Sequence, residues 1–458
     1  MTTLWRIAAL CAVPLAFYAA EKETPPPGTA PKPFHLASAE DYALPNGMKV
    51  TLVPYGSVPK VAIRAYVDAG AIREPEREVW ISKLNALLMK EGTAGHSSEQ
   101  LARDAAGMGG SIDLDSDPDF TTAGGLVLSE FGPRFVALLA DVLEHPALPA
   151  SELARLKANL ARDLAVERSQ PGSLARETFL QTMFPNHPYG RVYPKEGALE
   201  GYTVDQVKAF YAANFAASRT HLYIAGKLDP GLKKAVSDAF GGWKSGSAAA
   251  NPAVNPVKSR SFQLLDRPGA AQSTLYLGLP VPDPTSADYV VLDVMNSLLG
   301  GSFASRITSN IREQKGYTYS PNSQVGTRHH LAFWLQVADV TTAVTGPSLK
   351  EIFGEIDRLR REAPSAEELK GIQNYLAGMF VLRNTVSPDG VIAQLHFVDS
   401  QGLDRSYLSN YVQKVMAVTP RDIQRVAESY IVPSKMTLVV VGDKSKIAEQ
   451  VKPYEGGQ

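Results

Sequence analysis

The 458-residue chain predicts an α+β fold of two homologous domains, each a mainly antiparallel sheet packed with helices. Three observations predict it. The two halves contain a gapless repeat, a small-residue break separates them, and in the first half strand-patterned runs stand beside consecutive helical runs rather than alternating with them.

The repeat aligns Thr203–Gly226 (TVDQVKAFYAANFAASRTHLYIAG) with Thr419–Gly442 (TPRDIQRVAESYIVPSKMTLVVVG). Each copy opens on a threonine placed to cap a helix, continues with apolar residues at helical spacing, and ends in a β-rich run stopped by glycine. The break, KSGSAAANPAVNPVKSR, is small and proline-punctuated. It predicts a linker at 244–260 between an N-terminal domain at 39–243 and a C-terminal domain at 261–452.

Within the first half, Met48–Pro54 and Val61–Ala69 predict hairpin-like strands, the second alternating Val61, Ile63, Ala65 and Val67 with polar or aromatic neighbours. Asn46-Gly47 supplies the turn before them. Helical patterns follow at Trp80–Lys90, Ser98–Met108, Glu130–His145 and Ala150–Arg168. Trp80, Ile81, Leu84, Leu87 and Leu88 share one face of the first, which predicts a core helix stopped by Gly92.

Composition bounds the function. Lysine plus arginine (46) nearly cancels aspartate plus glutamate (47), so no global field steers the chain to nucleic acid or an anionic membrane. Residues 1–20 predict an export signal: Arg6 precedes an apolar run, Ile7–Ala20, that is short for a transmembrane span. Retention of that segment would leave a membrane anchor. Residues 21–38 are proline-rich and polar and predict a tether. The single cysteine, Cys11, lies in the signal, so neither a disulfide nor a thiol nucleophile is expected in the mature chain.

The helix ending in Glu91-Gly92-Thr93, FPNHPYGR at Phe184–Arg191, RPGAAQS at Arg267–Ser273 and GGSFASRITSNIREQKGYTYS at Gly300–Ser320 together resemble the pitrilysin/insulinase-type zinc peptidases. The resemblance is to the bacterial heterodimeric members and the mitochondrial processing peptidase, and it covers nearly the whole mature chain. Active members carry H-x-x-E-H on the first helix, two imidazoles holding zinc while the glutamate activates its water. Anchored on the Gly-Thr ending, those positions are Lys83, Ala86 and Leu87. Lysine is a poor ligand at neutral pH, and alanine and leucine have no donor atom.

The absence is general. The eight histidines are His35, His96, His145, His187, His221, His329, His330 and His396, and no two stand three or four apart. The family's third ligand, a downstream glutamate, would fall near Asp163 and Leu164, with Glu167 the nearest glutamate. The resemblance therefore implies a subunit without zinc of its own, zinc being held by a homologous partner.

In paired bacterial members the subunit without zinc lends an arginine and a tyrosine to its partner's site; the matching residues are Arg312 and Tyr319. A guanidinium fork and a phenol can donate to a peptide carbonyl or a developing oxyanion. Gly316 is expected to end the preceding helix at Lys315 and let Tyr317–Tyr319 enter a strand that returns Tyr319 towards Arg312. Gly300 and Gly301 read as a tight helix-end turn, while the resemblance implies a place where backbone comes close to partner or substrate; both readings stand. Adjacent His329 and His330, taken as strand residues, would point to opposite faces and could not chelate together; His187 reads as a loop-fixing residue.

The expectation is thus a non-catalytic subunit of a heterodimeric zinc endopeptidase, exported to a bacterial periplasm and handling extended peptides. The alternative is a purely structural relative, comparable to the core subunits of respiratory complexes.

Overall fold

The computed structural model describes residues 38–248 and 250–456, with the side chains of 383 and 384 excepted. The expected signal, Cys11 and all but the last residue of the expected tether lie outside the described residues.

The first half runs through strands β1 (Glu40–Ala43), β2 (Lys49–Pro54) and β3 (Lys60–Val67), then helices α1 (Ile81–Met89) and α2 (Ser98–Gly107). Strands β4 (Asp113–Ser116) and β5 (Thr121–Leu128) follow, then α3 (Gly132–Glu144), α4 (Ala150–Ser169) and α5 (Pro171–Met183). It closes with α6 (Val204–Asn214), β6 (Thr220–Gly226) and α7 (Leu232–Phe240).

The second half opens on β7 (Ser261–Asp266) and β8 (Gln272–Val281), then α8 (Tyr289–Asn296) and the single turn α9 (Arg306–Thr308). After β9 (Asn322–Arg328) and β10 (Leu331–Thr341) come α10 (Thr345–Arg361), α11 (Ala366–Asn384), α12 (Pro388–Ser400) and α13 (Ser406–Ala417). Helix α14 (Pro420–Tyr430), β11 (Thr437–Gly442) and α15 (Lys444–Val451) end it. The described part of 244–260 contains no helix or strand.

The repeat folds as one unit twice. Thr203 accepts from the Gln206 amide and Thr419 from the Asp422 amide, each closing a capping box at the start of α6 or α14. The strand that follows enters the middle of its sheet: the orders are β1-β2-β6-β3-β5-β4 and β7-β11-β8-β10-β9. Both sheets are antiparallel except at β2/β6 and β7/β11. The architecture is the α+β class expected.

One local expectation fails here. Strands β2 and β3 are not a hairpin, because β6 lies between them, parallel to β2 and antiparallel to β3. The almost continuous burial of THLYIAG in β6 suits a central strand, and the gain from burying it on both faces outweighs local pairing.

Helices α5 and α12 tie the halves together reciprocally. Helix α5 packs on β8 and β11 of the second sheet, and α12 packs on β3 and β6 of the first. The α5 contact is a separate apolar cluster that includes Phe179, Met183, Phe184, Phe333 and Val439.

Candidate functional site

Helix α1 begins at Ile81, one residue later than the sequence pattern implies. Trp80 sits outside it at φ 73°, an unusual backbone for a bulky residue. Neighbours hold it there. Its amide donates to Glu74 Oε2 (3.0 Å), its indole Nε1 to the Val192 carbonyl (3.0 Å), and its ring meets Tyr193 edge to face. Glu74 also accepts from the amide and hydroxyl of Ser82 (3.1 and 2.6 Å), capping α1 from a distance. Burial pushes the Glu74 carboxyl up to about 7 against those hydrogen bonds.

The former ligand positions have been put to other uses. Ala86 is 2% exposed in the first-half core, and Leu87 packs at its edge. The Lys83 ammonium lies over the Trp80 ring, 4.4 Å from its centroid. Lys83 lines a cavity of about 550 Å³ with Glu74, Asp163, Glu167, Arg176 and Tyr193. Glu167 accepts from Ser173 Oγ (2.6 Å) and Tyr193 Oη (2.8 Å), and those bonds, then the charges of Arg176 and Lys83, hold its carboxyl below the usual range. Leu164 is buried.

A dication does not fit this chemistry. The cavity places an ammonium where an imidazole would be needed, and among the described residues no group of three His, Cys, Asp or Glu could hold a metal.

In the second half, α8 and α9 each run into a π-helical stretch, at Ser297–Gly301 and Ser309–Gln314. Such wide turns concentrate at functional sites because regular helix is given up to aim side chains. Here they bracket Phe303 and carry Arg312. The Arg312 guanidinium lies between two rings, 4.5 Å from the Phe303 centroid and 5.0 Å from that of Tyr319, and its Nε is 3.2 Å from Glu313 Oε1. Phe303 is 69% and Tyr319 79% exposed. The cation is therefore held in place while both flanking rings face solvent.

The route that brings Tyr319 to Arg312 differs in one respect from expectation. Lys315 caps the π-turn and Gly316 takes φ 66°, but Tyr317–Tyr319 do not enter a strand. A single bridge joins Thr318 to Val340, and β9 starts only at Asn322. Hydrogen bonds from Thr318 Oγ1 to the Asp339 carbonyl (2.6 Å) and from the Thr341 amide to the Tyr317 carbonyl (3.2 Å) fix the segment instead.

Gly300 and Gly301 are the last residues of the first π-turn, where the helix begun by α8 ends. A Cβ on Gly300 would stand 2.5 Å from Gln336 Oε1 and 2.6 Å from Ser323 Oγ, and one on Gly301 2.5 Å from Asn296 Nδ2. Within the chain, Gly300 thus lies against the sheet and Gly301 against the end of α8. His329 and His330 are not strand residues: they form the two-residue turn between β9 and β10, with His330 at φ 50° and the rings 4.3 Å apart. His187 caps the turn at Pro188–Gly190 by accepting from the Tyr189 amide (3.2 Å) and meets the Pro252 carbonyl (3.4 Å).

Sequence reasoning missed Glu74 and Phe303. An acidic residue seven positions before the helix gave no sign of capping it, and the periodicity around Phe303 is that of a buried residue.

A chain with two such sheets, a first helix stripped of ligands and an ordered arginine–tyrosine pair has the make-up of an insulinase-type peptidase half. Two family models match: "Insulinase (Peptidase family M16)" over residues 50–195 and "Peptidase M16 inactive domain" over residues 201–376. The chain belongs to peptidase family M16.

Among curated relatives, "Uncharacterized zinc protease YmxG" of Bacillus subtilis is 23% identical, over 74% of this chain and 83% of its own length. "Non-peptidase homolog YmxG" of Helicobacter pylori is 22% identical, over 83% and 88%. Of solved structures, a peptidase M16 inactive domain from Pseudomonas fluorescens superposes with a TM-score of 0.81 at 23% identity, covering 88% of this chain and 98% of that one. A protease from Helicobacter pylori gives 0.82 at 19% identity, covering 89% and 100%. These structures share the fold.

Proposed function

We propose that this chain is the non-catalytic subunit of an exported, periplasmic heterodimeric zinc endopeptidase, pairing with a homologous subunit that holds the zinc. Arg312 and Tyr319 are its contribution to the shared site. The observation that carries this reading is the contrast within one chain: α1 carries none of the zinc ligands, while Arg312 is held between exposed Phe303 and Tyr319. The guanidinium and the phenol would donate to the scissile carbonyl as it gains charge on the partner's zinc.

The substrate in this reading is an extended peptide that adds to a sheet edge, main-chain hydrogen bonds giving affinity with little demand on sequence. The edge strand β4 is suited to it, since Asp115 and Ser116 line the Lys83 cavity.

The test is to purify the chain alone and co-purified with an H-x-x-E-H homologue of the same organism, then follow cleavage of a quenched-fluorescent peptide with and without chelator. The chain alone should be inert and the pair chelator-sensitive. Replacing both residues, Arg312→Ala with Tyr319→Phe, should lower the pair's kcat by about 10²-fold, the scale of lost oxyanion donors. An unchanged rate would leave the scaffold reading in place. Chelator-sensitive cleavage by the lone chain would sink the proposal.

A further inference from the structure

Beside the Arg312–Tyr319 pair lies a second cavity, of about 590 Å³, between the segment after the first π-turn and the start of α11. Its walls are mainly apolar: Leu298, Phe303 and Ala304 on one side, Ile372 and Tyr375 on the other. Phe303 belongs to both places, one of its neighbours being the Arg312 guanidinium. Tyr375, at 42% exposed, stands with Phe303 among the few large apolar side chains left in solvent among the described residues.

Three features of this cavity have no use within the chain. Ser302, only 8% exposed, lines it, and its hydroxyl, closed to solvent, has no hydrogen-bond partner among the described residues, a costly state. Gly371 faces it from inside a helix, where glycine is disfavoured; a Cβ there would meet nothing within 4 Å, so no internal packing calls for glycine. Of the two lining carboxylates, Glu368 is held by Arg306 through bonds of 2.7 and 2.8 Å, whereas Glu367 has no ion-pair partner among the described residues.

We propose that this cavity is a specificity pocket for one bulky apolar side chain of the extended peptide. Gly371 lets the peptide approach α11 closely, and Glu367 favours a basic flanking residue. The proposal rests on the peptide-handling reading above and adds the residue preference, which main-chain strand addition does not supply.

The test uses the full chain and fluorescein-labelled decapeptides of serine, threonine and glutamine with one lysine, differing only in the residue beside that lysine: phenylalanine, leucine or alanine. Fluorescence anisotropy should show the phenylalanine and leucine peptides binding about tenfold tighter than the alanine peptide, as expected for burying such a side chain. Gly371→Leu fills the cavity with a better helix former. It should cut that preference to below about threefold while leaving the melting temperature unchanged or raised. Equal binding of the phenylalanine and alanine peptides, or an intact preference in Gly371→Leu, would overturn the pocket while sparing the peptide reading. Failure of all three peptides to bind would overturn both.

Discussion

Helices α5 and α12 take equivalent places in the two halves, each starting on a proline and each docking on the other half's sheet, yet they dock by different chemistry. Aligned on Pro171 and Pro388, Phe179 falls opposite His396. The repeat places Val439 opposite Tyr223, and the strand registers place Gly278 opposite Tyr66. In the α5 contact Phe179 lies on Gly278, whose added Cβ would come within 2.8 Å of the ring. In the α12 contact the His396 imidazole stacks on Tyr66, centroids 3.6 Å apart, and beyond it Tyr223 Oη reaches Asp399 (2.8 Å) and His221 (2.9 Å). One joint is an apolar cluster, edged at Leu180 and Tyr189 by the Lys83 cavity, and the other is polar and borders a cavity of about 770 Å³. The same backbone arrangement can thus be locked by area or by polar pairing, and only the second responds to protons.

Breaking the apolar joint should have the largest effect. Phe179→Ala opens a hole among Phe184, Tyr276 and Phe333 and should cost about 3–5 kcal/mol in chemical denaturation, the usual range for a buried phenylalanine. A loss under about 1 kcal/mol would mean that the joint collapses onto the gap or is not a main tie.

Acid should act on the other joint. Burial, then the nearby His221, hold the His396 imidazole down at about 3, against an ordinary 6.5. The unfolded chain takes up that proton as pH falls below about 6.5 and the folded chain does not, so stability is full above 6.5 and drains away towards 3. At pH 5 the loss assignable to His396 is about 2 kcal/mol. His396→Phe copies the α5 joint, so the gap between variant and parent should move in the variant's favour by about that amount between pH 8 and pH 5. Parallel pH profiles would show that His396 is free to protonate in place.

What the sequence could disclose follows from how far its signals reach. Capping boxes, turn glycines and helical stripes are local, and Thr203, Thr419, Asn46-Gly47 and the Ile81–Met89 helix lie where their patterns put them. The insertion of β6 between β2 and β3 depends on residues more than 150 positions away in the chain, which no window contains. Trp80 and the His329-His330 turn fail for a different reason: a positive φ is imposed by Glu74 and Val192, or by strand pairing, and not by the residue that adopts it. At the candidate site the chemistry was legible as an absence, since alanine and leucine have no donor atom and lysine is a poor ligand at neutral pH. Arg312 and Tyr319 were legible only through resemblance. The exposure of Phe303, which makes the pair an ordered surface, arises from two π-turns that periodicity reads as plain helix.

The smallest expected effect separates hydrogen bonding from area at the polar joint. Tyr223 is fully buried, and burial together with the Asp399 carboxylate pushes its phenol far above the ordinary range, so it stays a neutral donor at any working pH. Tyr223→Phe keeps the ring and its edge contact with Tyr66 while removing the bonds to Asp399 and His221. Asp399 retains Arg405 at 3.4 Å and His221 retains Thr51 at 2.8 Å, so neither partner is stranded outright and the cost should be about 1–2 kcal/mol. The same change made with Asp399→Ala should cost less than the sum of the two alone, because they share one bond. Additive losses would mean that the phenol serves as packing, and that the α12 joint is held by area as the α5 joint is.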